Sequence, residues 1–244
     1  MAVPETLEAP QPAPLKKKVA IVGGGPSRRL APFGDETWDV WAFSSLRLKT
    51  PRVARWFEMH APGDLATQLT RATPARRSFR EYARFLRELK CPIYMQRRLR
   101  ALPHSVAYPL EAALAAFGRC FTSTVSYMIA LAILEGYDVI GVWGVHLTAR
   151  SVYSRQRPGV EYLLGVARRR GIEVVLPPGS PLRVPEEPVL PYTDVLYGYD
   201  WRSAGAWWRQ VRRFAAGPRG RPAAGAQGRS AARGQGRPTA RAGR

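Results

Sequence analysis

The chain has 244 residues, with 38 Lys plus Arg against 18 Asp plus Glu, a formal net charge of +20 and 45% hydrophobic residues. That length and apolar content suit one α/β domain or two small ones, and they exclude a wholly disordered chain. There is no run of 18 or more apolar residues, and the start, residues 1–14, is Pro-rich and acidic rather than basic and then apolar. The sequence therefore predicts neither a membrane span nor a signal peptide, and a cytoplasmic setting. Cys91 and Cys120 are too few for a disulfide framework or a zinc site and read as two small buried thiols.

In chain order, a flexible Pro-rich N-terminus over residues 1–15 gives way to Lys18 to Val22, a short β-branched run that stops at Gly23-Gly24-Gly25. It reads as a buried parallel strand ending in a tight turn. Further strands are predicted at Trp38 to Phe43, Val53 to Met59, Pro92 to Met95, Tyr137 to Val145 and Ile172 to Leu176. Helices are predicted at Arg76 to Lys90, Pro109 to Phe117, Ser123 to Glu135 and Pro158 to Arg170, with Gly136 and Gly171 as stops. Strands alternating with helices predict a Rossmann-like α/β fold: a mostly parallel sheet covered on both faces by helices, in a single domain over residues 16–182. Residues 183–214 follow as a second segment. The six prolines of Pro177 to Pro191 suggest a surface strap, and Tyr192 to Phe214, with Trp201, Trp207 and Trp208, a short helix packed on the body.

Charge is unevenly spread. All 18 acids lie at or before Asp200, leaving a net of +9 up to that point, whereas the remaining residues carry 11 arginines and no acid. Residues 215–244 hold nothing apolar larger than alanine and read as a disordered Arg/Gly/Ala-rich tail, because such a segment cannot offset its ordering entropy by burial. Two readings of it stand: a phosphate-binding arm for nucleic acid, or a solvated extension.

Ligands of open parallel sheets bind beyond the carboxyl ends of the strands, so the chemistry is sought in the residues just after each strand. After the first strand, Gly23, Gly24 and Gly25 let a phosphate or sugar approach the backbone, and Pro26 suits the first turn of a helix carrying Ser27. The second strand ends in Ser44 and Ser45, not in the carboxylate that would hold a dinucleotide ribose, which disfavours an NAD enzyme. Thr122 and Ser123 open a helix, as caps or as ligands of a polar group. Gly144 closes a later strand, and Tyr153, Arg155 and Arg157 follow on a predicted loop, where they suit phosphate oxygens, with Glu161 placed to orient one of the arginines. His60 and His146 both fall at predicted strand ends, and either suits the role of general base; His104 is the third histidine. No Asp-x-Asp pair, no histidine and carboxylate cluster at ligand spacing, no G-x-S-x-G and no P-loop occurs, so no obligatory metal is expected.

Two segments together carry a family likeness. Lys18 to Leu30, K-V-A-I-V-G-G-G-P-S-R-R-L, resembles the opening strand and G-N-G-P-S-L loop of the bacterial sialyltransferases that use CMP-sialic acid. Phe121 to His146 resembles their T-S-G to G-x-D segment. The 6-hydroxymethylpterin diphosphokinase-like proteins and phage proteins of the same group are similar, the phage proteins most of all through Gln156-Arg157-Pro158 and Glu161-Tyr162. The resemblance implies a nucleotide-binding cleft, with Gly24, Gly25 and Ser27 near the phosphates or ribose, Ser44 and Ser45 at the second strand end, Thr122 and Ser123 near base or sugar, and Tyr153 on a phosphate. Gly24 stands where the sialyltransferases have Asn, His146 where these families commonly have Asp, and no histidine follows His146. The function expected from this is a glycosyltransferase-like transferase with a nucleotide-activated donor and a nucleic acid as one candidate acceptor, as in phage DNA modification. The alternatives are a non-catalytic nucleotide- or nucleic-acid-binding protein and a pterin-type diphosphokinase.

Overall fold

The computed structural model describes residues 15–43, 52–60, 79–148 and 152–200, with side chains for all of these but 79–81, 83 and 152–154. Seven strands form one sheet in the order β5-β4-β3-β2-β1-β6-β7, and every neighbouring pair is parallel. They are β1 Lys18–Val22, β2 Trp38–Phe43, β3 Arg55–Glu58, β4 Ile93–Met95, β5 Ser105–Ala107, β6 Val139–Trp143 and β7 Glu173–Val175. The helices are α1 Phe79–Glu88, α2 Leu110–Phe117, α3 Thr124–Leu134 and α4 Val152–Arg169. The architecture is the α/β one that the alternation of runs predicts.

β1 is central, and its alternate side chains serve two faces. Val19 and Ile21 join a core with Trp41, Phe57, Met128 and Leu163, while Ala20 and Val22 pack with Val40 and Trp143 on the other side. All five residues of β6 are buried, as befits a strand covered on both faces. α3 is buried along nearly its whole length, from Thr124 to Ile133, because it lies between the sheet and the rest of the helical layer. A further cluster seats Tyr82 and Leu86 of α1 on Trp56, Ile93 and Met95.

Two elements depart from the sequence reading. β5 was not predicted: only Ser105 of its three residues is buried, so no apolar run announces it. The Ser105 hydroxyl instead fastens the preceding crossover, accepting from Leu99 N at 2.9 Å and lying 2.6 Å from Leu102 O. α4 starts at Val152, six residues before the predicted start, so that Pro158 lies inside it. Pro158 has no N–H to return to Ser154, but its fixed φ is helical, and Gly159 beside it lets the helix press on Cys120 O, which a Cβ would meet at 2.2 Å.

The Pro-rich segment after β7 is a strap. Pro185 lies on Gly165 of α4, Arg157 and Arg168 of that helix donate to Pro181 O and Val184 O, and Leu190 packs on Gly118. Beyond it, Thr193 N and Tyr197 N donate to Arg119 O and Phe121 O. Residues 192–200 turn without forming a helix. Trp201, Trp207, Trp208 and the basic tail lie outside the described residues. No described helix is long and apolar enough to cross a membrane.

Cys91 and Cys120 are both buried and unpaired. Burial pushes the Cys120 thiol up to about 12 from an ordinary 9.0. Its neutral form is therefore favoured by folding; that contribution is complete below pH 9 and disappears as pH rises toward 12. We expect neither thiol to react with a disulfide reagent at pH 8 in the folded protein, and two equivalents per chain to react in urea, read from absorbance.

Candidate functional site at the carboxyl edge of the sheet

β2 to β5 lie on one side of β1, and β6 and β7 on the other, so the strand order reverses between β1 and β6. In open α/β sheets this is where a crevice forms. Here the two loops remain joined past the strand ends: Gly23 N donates to Trp143 O and Gly25 N to Gly144 O, both at 2.8 Å. A Cβ on Gly23 would meet Gly144 O at 2.4 Å, and Gly144 has φ 66°. Gly23 and Gly144, and to a lesser degree Gly25, are thus required by each other's backbones. This corrects the reading of Gly23 and Gly25 as a phosphate cradle; Gly24 between them is exposed.

Pro26–Leu30 forms one 3-10 turn, not a full helix. It delivers Ser27 to the crevice, where the Ser27 hydroxyl accepts from Gly144 N at 2.9 Å and lies 3.1 Å from His146 Nε2. The Ser27 hydroxyl thereby joins the backbone of Gly144 to the ring of His146, as acceptor from the first and as donor or acceptor to the second. Leu147, directly after His146, has φ 49° and is the non-glycine with a positive φ among the described residues. The turn that presents His146 is therefore strained.

The other sequence-predicted residues fall as follows. Ser123 is buried and caps α3, accepting from Ser126 N at 3.3 Å while Ser126 Oγ answers to Ser123 N. The hydroxyl of Thr122 donates to Gln156 O at 3.4 Å, against α4. Tyr153, Arg155 and Arg157 sit in the first turns of α4, which corrects the loop predicted there. Arg157 donates to Pro181 O at 2.6 Å and pairs with Glu161 at 3.5 Å, so it ties strap to helix. The side chain of Tyr153, and Ser44 and Ser45 entirely, lie outside the described residues. His104 is exposed at the amino end of β5, beside a groove of about 430 Å³ that Arg98 also lines, at the opposite end from the crevice.

A second group stands at the end of β3. Glu58 is fully buried, and its Oε1 accepts from His60 Nδ1 at 2.6 Å and from His60 N at 3.1 Å. Its Oε2 accepts the hydroxyl of Tyr82, which in turn accepts from Trp56 Nε1 at 3.3 Å. Burial, and then the charge of Glu58, hold the Tyr82 hydroxyl well above its ordinary range, so it remains a donor. On the far side of the ring, His60 Nε2 meets the hydroxyl of Tyr197, 137 residues away, at 2.5 Å. Glu58, Tyr82 and Tyr197 are absent from the sequence-predicted set. In an extended chain, positions 58 and 60 face the same way, a period-2 signal that was there to be read.

Strands β3 and β6 are separated by β2 and β1, so His60 and His146 follow the ends of non-adjacent strands on the same edge of the sheet. Among the described residues, no cluster of three His, Cys, Asp or Glu is placed to hold a metal ion.

No protein-family model and no curated protein matches the chain. Among solved structures, the chain is similar to the sialyltransferase CstII from Campylobacter jejuni in complex with the substrate analogue CMP-3FNeuAc, at 16% identity and a TM-score of 0.43, over 73% of this chain and 88% of that one. The same enzyme with a trisaccharide acceptor and CMP matches at 15% identity and 0.43, over 74% and 89%, and with cytidine-5'-monophosphate at 17% and 0.43, over 80% and 99%. A superposition at this level assigns no role to any residue of this chain.

Proposed function

We propose that the protein is a transferase that binds a nucleotide-activated donor in the crevice between β1 and β6 and moves a glycosyl-type group to a hydroxyl acceptor. The observation that carries this is the junction of Ser27, Gly144 and His146 at the point of strand reversal, with a strained turn holding His146 toward it. The sequence likeness of these same two loops to those of the CMP-sialic acid-dependent enzymes supports the donor class. In this reading Ser27, Gly24 and His146 meet the nucleotide. The departing phosphate lies toward the amino end of α4, where the helix terminus and Arg155 stabilise its developing charge. His60 takes the acceptor proton. The reaction as proposed needs no metal.

A thermal-shift panel of CMP-, UDP- and GDP-sugars and ATP, with and without EDTA, tests this. A donor at ten times its Kd adds roughly 1.4 kcal/mol, a rise of roughly 3–5 °C for a chain of this size. We expect one nucleotide-sugar class to give that rise in EDTA and Ser27→Ala to reduce it. A panel without any shift, or a shift untouched by Ser27→Ala, would remove the crevice from this role.

A further inference from the structure

We propose that Tyr197 and His60 work as one proton-accepting pair, with Tyr197 the residue that meets the acceptor hydroxyl. The inference rests on the transferase reading for its substrate, but the contacts that define it are other than those of Ser27, Gly144 and His146. Three groups are in line: Glu58 with no exposed surface, His60 with 13% of its side chain exposed, and Tyr197 with 8% exposed. The carboxylate is satisfied by three donors, His60 N, His60 Nδ1–H and the Tyr82 hydroxyl, so it is built to remain in place without water. In the neutral ring with Nδ1–H given to Glu58, the lone pair of His60 is on Nε2, and the Tyr197 hydroxyl then donates to it. A buried acid, an imidazole and a hydroxyl in hydrogen-bonded sequence is the arrangement by which a weak oxygen acid is activated.

The fold spends several contacts on placing Tyr197. Its N donates to Phe121 O at 2.8 Å, its O accepts from the Tyr127 hydroxyl at 2.9 Å, and Gln96 Nε2 reaches both Met59 O and Gly198 O. Gly198 has φ 82° and a Cβ there would lie 1.9 Å from Met59 O, so the segment is pressed against the residue preceding His60. Protonation of His60 would not release it, since Nε2–H can donate to the Tyr197 oxygen; the contact is suited to passing a proton rather than to a pH-driven latch. In the step proposed, the acceptor O–H gives its proton to Tyr197 Oη as the Tyr197 proton moves to His60 Nε2. The acceptor oxygen bonds to the donor carbon, and the bond from that carbon to the phosphate oxygen breaks, its electron pair leaving with the phosphate. His60 is then an imidazolium beside the Glu58 carboxylate.

The pair can be tested without knowing donor or acceptor. Phenylmethanesulfonyl fluoride sulfonylates an activated phenol, fluoride leaving and the phenolic proton passing to the base. In the full-length protein at pH 7.5, peptide mass spectrometry should show Tyr197 labelled roughly ten-fold faster than the other nine tyrosines. His60→Asn and His60→Gln, each checked for an unchanged melting profile, should bring it to the common rate. Labelling of Tyr197 at the common rate in the native protein, or fast labelling that survives both substitutions, overturns the proposal. A silent donor panel alongside selective labelling would instead remove the transferase reading and leave the pair standing.

Discussion

Gly144→Ala should lower the unfolding free energy by about 3 kcal/mol. Left-handed backbone costs an alanine about 1–2 kcal/mol, and crowding a closed contact costs about 1–3 more. Both apply, since Gly144 has φ 66° and its Cβ would lie 2.4 Å from Gly23 O. The contact cannot relax by a rotamer change, because the obstructing atom is backbone and is itself held by hydrogen bonds from Gly23 N to Trp143 O and from Gly25 N to Gly144 O. Urea unfolding should show a lower midpoint at unchanged slope. A loss below about 1 kcal/mol would mean that the two loops can part. Because Gly144 N also donates to Ser27, the same variant should weaken donor-induced stabilisation.

The second large effect belongs to Glu58. Glu58→Leu leaves the Tyr82 hydroxyl buried without its acceptor and frees His60 N and Nδ1 together, and we expect a loss of about 3 kcal/mol. The signature is in the combination. Tyr82→Phe added to Glu58→Leu removes the stranded hydroxyl at the cost of the long bond from Trp56 Nε1, so the double variant should lose less than the two single losses summed. Additive losses in a double-mutant cycle would show that the bond from Tyr82 to Glu58 is not formed in solution.

The strands with apolar runs were legible: β1, β2, β3, β4, β6 and β7 each fall inside a predicted run, most plainly β6, which is buried on both faces and wholly apolar. β5 escaped because an edge strand of three residues with one buried side chain has no such run. The start of α4 was misplaced because proline commonly opens helices, and here it lies within one. At the site, the glycines and Ser27 were legible as a loop, but the use of Gly23 and Gly25 was not: a glycine that admits a ligand and one that admits a neighbouring backbone look alike in sequence. The pairing of Glu58 with His60 was written locally and overlooked. Tyr197 left no local trace at all, since it reaches His60 only after the strap has crossed α4.

The placement of β1 also bears on how the chain is made. Its second edge is filled only by β6, and the residues flanking the two strands, Lys17 and Asp138, are 121 apart. While the ribosome synthesises that interval, Val19, Ala20, Ile21 and Val22 present an apolar strand with a bare edge, a template for pairing with another nascent chain. Pairing across so long an interval is also slow to nucleate. Yield in the cell should therefore depend on chaperones that shield the amino-terminal strand until the second half of the sheet emerges.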